Sequence, residues 1–157
     1  MANLLFESSA FAKYWQSEEG SEKVITLMDD PTNQTFISWL TLVEMHSALA
    51  RRVRMGELTV AEFEQVRRHL YAQLRSGRFR VVWWSSRHLW EAIRLLLRYG
   101  ATDPLRALDA FQLAVALDLK EQGLLDGFVC ADDLLCALAQ REGLAVINPK
   151  LADGRPP

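Results

Sequence analysis

The chain reads as an α/β fold with a mainly parallel sheet of about five short strands and helices on both faces. Three observations lead there. Short β-rich runs alternate with helical-period segments from one end to the other. Several of those runs are apolar throughout rather than alternating, as strands covered on both sides must be. Two of them end directly on an acid, Glu7 and Asp132, followed at once by a helix.

Taken in order, Asn3-Leu4-Leu5-Phe6 is a first apolar strand, after which Ser8 or Ser9 is expected to cap a helix from Ala10 to Gln16. Gly20-Ser21 breaks the chain, and a second helix begins at Ser21 and stops at Asp30-Pro31. Gln34 to Ser38 is rich in β-formers and forms the second strand. The spacing of Leu40, Val43, Ala48 and Leu49 predicts a long helix from Trp39 to Arg54, with Glu44 and His46 close to its core-facing side. Thr59 and Glu62 have capping-box spacing and open a helix that runs from Val60 to Ser76. This helical pair is the one departure from simple alternation.

Phe79 to Trp84 is a third strand, with Ser85-Ser86 capping a helix whose apolar positions are Leu89, Ile93, Leu96 and Leu97. Tyr99-Gly100 ends it, and Asp103-Pro104 starts the next helix with proline in its first turn. In that helix Asp109 lies at the edge of, or inside, the stripe formed by Leu105, Leu108, Phe111, Ala114, Val115 and Leu119. After Gly123, Gly127 to Ala131 is a buried strand ending at Asp132, which also suits the N-cap of a helix from Asp133 to Arg141. Ala145 to Pro149 is a last short strand. Residues 1–149 are read as one domain and 150–157 as a loose tail.

At 157 residues, 50% apolar and 24% charged, the composition is that of an ordinary globular domain. A net charge of −2 argues against a non-specific nucleic-acid coat while leaving room for a local basic face. Cys130 and Cys136 fall at buried positions and suggest a reducing cytoplasm rather than a disulfide framework. No apolar run approaches the roughly twenty residues of a membrane helix.

The chemistry rests on four acids. Strand ends of a parallel sheet share one edge, so Glu7 and Asp132 should be neighbours there, and Glu44 and Asp109 can join them from their helices. Carboxylates around one pocket repel and raise each other's pKa, and a hard divalent ion relieves this. Taken singly, each acid also has a structural reading: a cap-side acid for Glu7, an ion pair with an arginine for Glu44, and helix-end stabilisers for Asp109 and Asp132. No phosphate-cradling glycine loop or GxSxG elbow is present. His46, His69 and His88 are too scattered for a zinc site. Arg51, Arg52, Arg67 and Arg68 read first as a solvated face and second as an RNA or partner surface. Trp83, Trp84 and Trp90 read as core or dimer contacts before base-stacking.

Four stretches together carry a family resemblance: LLFESSAFAKYW with the EEGSE turn after it, the Glu in ISWLTLVEMHSAL, LRALDAFQLAVAL, and FVCADDLLCALAQREGLAVINP. The chain resembles PIN-domain proteins of the VapC type, the toxin ribonucleases of bacterial toxin–antitoxin pairs. The resemblance implies a Rossmann-like sheet, magnesium- or manganese-dependent cleavage of RNA, a homodimer, and an antitoxin that covers the site. By position it carries over Glu7, Glu44, Asp109 and Asp132 as the acids, with Ser9 supporting the first and Asp133 as a spare. Glu7 stands where such proteins usually have Asp, and Cys130 where Thr or Ser is usual. The longer Glu7 either pushes an ion outward or bends back, which leaves a PIN-like binding module with weakened catalysis as the alternative.

Overall fold

The computed structural model describes residues 1–151. Five strands make one sheet in the order β3-β2-β1-β4-β5, with β1 at Asn3–Phe6, β2 at Gln34–Ser38, β3 at Phe79–Val82, β4 at Gly127–Val129 and β5 at Val146–Ile147. Every pairing is parallel. Around the sheet lie α1 (Ser8–Phe11), α2 (Ser21–Asp29), α3 (Trp39–Arg54), α4 (Val60–Arg75), α5 (Ser86–Tyr99), α6 (Ala107–Glu121) and α7 (Asp133–Arg141).

The alternation of side chains along β1 divides the core in two. Leu4 and Phe6 join Ile37, Val129, Phe11, Met45 and Leu70 on one face. Leu5 joins Phe36, Phe128, Leu95, Leu113 and Leu138 on the other. Both faces are covered, which is why these strands can be apolar throughout. Register then sets the edge: Phe6 pairs with both Ile37 and Val129, and the Glu7 amide donates to Val129 O at 2.9 Å. The residues just past β1, β2 and β4 are thereby level.

Several elements differ in detail from the sequence reading. α1 is a single turn, continued by a 3-10 turn at Ala12–Tyr14, and its cap is Glu7 rather than either serine. Both serine hydroxyls bond to carboxylates instead. Asp103-Pro104 does not open α6, which begins at Ala107 with Arg106 at its N-cap. Asp103 is held by Arg141 at 3.2 Å. Helix α5 buries His88, Ala92, Leu95 and Tyr99, while Ile93 and Leu97 face outward, Leu97 at 81% exposure. That helix carries two apolar stripes, and packing against α6 takes the one containing Leu95. Val43 and Leu108 are also exposed, and so are Trp83 and Trp84, which lie beyond the end of β3 rather than in the core. Of the expected tail 150–157, Lys150 pairs with Asp133 at 2.9 Å, and 152–157 lie outside the described residues. Among the described residues no helix is long and apolar enough to cross a membrane.

Candidate functional site

The carboxyl edge of the sheet gathers the acids. Glu7, the first residue after β1, has extended backbone geometry at the N-cap of α1. Its carboxylate bends back over the helix start, accepting from the Ser9 amide at 2.9 Å and from the Ser9 hydroxyl. Ser9 Oγ in turn accepts from the Ala131 amide at 3.0 Å, tying this corner to the end of β4. The Cys130 thiol, 3.7 Å from Glu7 Oε2, completes the surroundings. Glu7 is only 5% exposed. Burial pushes its carboxyl up to about 7 against the downward pull of the Ser9 bonds, and the negative charges of Glu44 and Asp109 push the same way as burial. Glu7 is therefore within electrostatic reach of two acids far from it in sequence.

Glu44 reaches the edge from α3, where the Ser8 hydroxyl and the Gln112 amide hold it, the latter at 3.0 Å. Gln112 is a hub. Its Nε2 also lies 2.7 Å from Ser8 Oγ and 3.1 Å from Thr41 Oγ1, and its Oε1 accepts from Ser38 Oγ at 2.8 Å. Ser38 ends β2 and caps α3 through the Thr41 amide. One buried amide from α6 thus fixes the exits of β1 and β2 and the rotamer of Glu44. Sequence reasoning passed over it. The signal was a lone glutamine one helical turn after Asp109, in a helix whose neighbouring positions are Leu113, Ala114 and Val115.

Asp109 lies in the first turn of α6, gripped by the Arg106 guanidinium at 2.7 and 3.3 Å. Asp132 caps α7, accepting from the Leu135 amide at 2.8 Å. The Arg106 guanidinium is held in its charged form first by Asp109, with Asp132 and Glu44 adding to the effect. That places the fourth acid in the same field. Asp133 turns the other way: Lys150 and Asn148 hold its carboxyl below the usual range, at 2.9 and 3.0 Å.

Among the described residues no three acid, histidine or cysteine side chains stand ready to ligate one ion. Each acid is turned to a neighbour of its own: Glu7 to Ser9, Glu44 to Ser8 and Gln112, Asp109 to Arg106, Asp132 to Leu135. The donor set still fits a hard divalent cation. It is all carboxylate oxygen, and it includes a buried acid raised chiefly by its burial and further by the charges of Glu44 and Asp109.

The predicted basic surface lies apart. Arg51 and Arg52 come seven and eight residues after Glu44, about 11 Å farther along the α3 axis. They border a hollow of about 330 Å³ with Gln16, Met55 and Glu57. Arg52 pairs with Glu57 at 3.5 Å and Arg67 with Glu64 at 2.6 Å. Arg68 is exposed. His46 turns toward Leu42 and Tyr71 and makes no contact with the acids.

Comparison with known proteins bears on the fold and the family. The sequence matches the PIN domain over residues 4–124, a span that includes Glu7, Glu44 and Asp109 and stops short of Asp132. No curated protein sequence matches it. Among solved structures, Mycobacterium tuberculosis VapC20, described as a Sarcin-Ricin loop cleaving toxin, superposes with a TM-score of 0.65 at 16% identity, covering 98% of this chain and 99% of that one. VapBC2 from Rickettsia felis, bound to a promoter DNA fragment, gives 0.62 at 13% identity, with 93% and 98% covered. PAE2754 from Pyrobaculum aerophilum gives 0.59 at 21% identity, with 93% and 89% covered. These likenesses establish the fold.

Proposed function

Because the chain belongs to the PIN domain family, we propose that it is a divalent-metal-dependent endoribonuclease acting in the cytoplasm as the toxin of a bacterial toxin–antitoxin pair. The observation that carries this reading is the buried Glu7 at the edge where parallel strands end, bonded to Ser9 and within electrostatic reach of Glu44 and Asp109, with Arg106 reaching Asp109, Asp132 and Glu44. Asp109, Asp132, Glu44 and Glu7 would hold Mg2+ or Mn2+. When bound, such an ion supplies charge neutralisation for a phosphodiester under attack and a more acidic water.

The chain's own residues do the positioning. Ser9 and its amide orient Glu7. Ser8 and Gln112 orient Glu44 from two sides. The Leu135 amide fixes Asp132. Arg51, Arg52, Arg67 and Arg68 would meet the RNA backbone or the acidic part of an antitoxin, an assembly suggested by the VapBC2 likeness. The outward strip of Trp90, Ile93 and Leu97 on α5, three apolar residues on one helix face, supports a homodimer.

The test uses purified protein, an RNA substrate and Mn2+. Cleavage that disappears with chelator and in Asp109→Asn supports the enzyme. Tight RNA binding without cleavage supports the second reading, a PIN-like binding module. One observation favours that second reading: the Glu7 carboxylate is folded back onto Ser9 rather than extended toward Asp109. Glu7→Asp separates them, since it keeps the charge and the cap while shortening and stiffening the side chain, and should raise cleavage by about an order of magnitude if Glu7 is the brake.

A further inference from the structure

Arg106 stands where helix physics does not want it. The N-cap of α6 has no side-chain cap bond, and a cation there opposes the helix dipole; Ser, Thr, Asp or Asn is preferred. Its side chain is 76% exposed, so its ion pair with Asp109 adds little to stability. Yet the fork is well formed, with Nε and Nη2 each meeting one oxygen of Asp109, and its charge also feels Asp132 and Glu44. A residue that is poor for the helix and weak for stability sits against Asp109, within electrostatic reach of Asp132 and Glu44.

We propose that Arg106 is an internal counter-cation of that cluster, which yields Asp109 to the divalent ion and then grips a phosphodiester of the RNA strand. The inference rests on the metal-site reading of the four acids. While no divalent ion is present, the guanidinium neutralises Asp109. With Asp109 committed to a divalent ion the Arg106 fork would be left without its partner, and a phosphate oxygen pair offers the same planar, two-oxygen geometry as the carboxylate. Arg106 thus positions the substrate strand without ligating the ion.

The experiment measures Mn2+ binding by calorimetry or electron paramagnetic resonance, and steady-state RNA cleavage, for wild type, Arg106→Gln and Arg106→Lys. Arg106→Gln should bind Mn2+ about two- to five-fold more tightly, because no ion pair has to be broken first. Its KM for RNA should rise several-fold with kcat little changed, and the salt dependence of RNA binding should fall by about one phosphate contact. Arg106→Lys should keep wild-type Mn2+ affinity but not the low KM, since an ammonium cannot fork. Mn2+ affinity unchanged or weakened in Arg106→Gln, or an unchanged KM, overturns the proposal while leaving the metal site intact. A wild-type protein that binds no Mn2+ overturns the metal-site reading and this inference together.

Discussion

Replacing Glu7 with glutamine should make the protein more stable above neutral pH, and the structure sets the size of the effect. Burial raises the carboxyl from 4.5 to about 7, so the folded state holds this proton more tightly than the unfolded chain does. The stability linked to that proton is complete below pH 4.5, declines between pH 4.5 and 7, and is gone above pH 7. At 1.36 kcal/mol for each tenfold in proton affinity the loss is about 3 kcal/mol. Glu7 is 5% exposed, so solvent screens little of it. Glutamine keeps an oxygen for the Ser9 amide and hydroxyl and never ionises. In a chain of 157 residues, about 3 kcal/mol corresponds to roughly 6–12 °C in Tm. Thermal unfolding of wild type and Glu7→Gln, in chelator, at pH 5 and pH 8, measures it. The two proteins should melt close together at pH 5, and the variant should melt several degrees higher at pH 8. All other titrating groups are common to both, so their effects cancel in the difference. An identical Tm difference at the two pH values refutes the argument. Mn2+ at pH 8 should raise the wild type more than the variant.

Three further outcomes follow from the same geometry. Gln112→Leu fills the same space but strips partners from Ser38, Ser8 and Glu44, so urea unfolding should show a loss of about 1–3 kcal/mol; an unchanged midpoint would mean that the hub is not needed. Asp132→Asn should cap α7 as well as aspartate does, within about 0.5 kcal/mol, yet lose Mn2+ affinity, whereas Asp132→Ala should lose affinity and about 1 kcal/mol besides. Full Mn2+ affinity in Asp132→Asn would reduce Asp132 to a cap. Leu97→Glu, on the outward strip of α5, should convert a dimer to a monomer by light scattering, and a mass unaffected by the change would remove that strip from the interface.

The alternation of elements and the parallel sheet were readable because periodicity reports burial on one or both faces, and that is what packs here. Faces were harder. Helix α5 offers His88, Ala92, Leu95 and Tyr99 on one side and Trp90, Ile93 and Leu97 on another, and only the position of α6 decides between them. Cap chemistry misled at Ser8 and Ser9, which are good caps in isolation but are claimed by Glu44 and Glu7. Asp103-Pro104 looked like a helix start, though Asp103 is taken by Arg141. The acids could be picked out because strand ends and helix faces are local properties. Gln112 and Arg106 could not, because their importance lies in partners 68 to 104 residues away for Gln112 and in a field summed over three elements for Arg106.

The amide of Gln112 has a consequence for the order of events during synthesis. A chain growing from its N-terminus carries Ser8, Ser38 and Glu44 through the making of nearly seventy more residues before the glutamine that ties them together exists, since Gln112 and Glu44 are separated by 68 positions. Asp132 comes later still. Until the chain has grown past that point its carboxylates sit on segments that Gln112 and the end of β4 have not yet joined, so the edge assembles late in the order of synthesis.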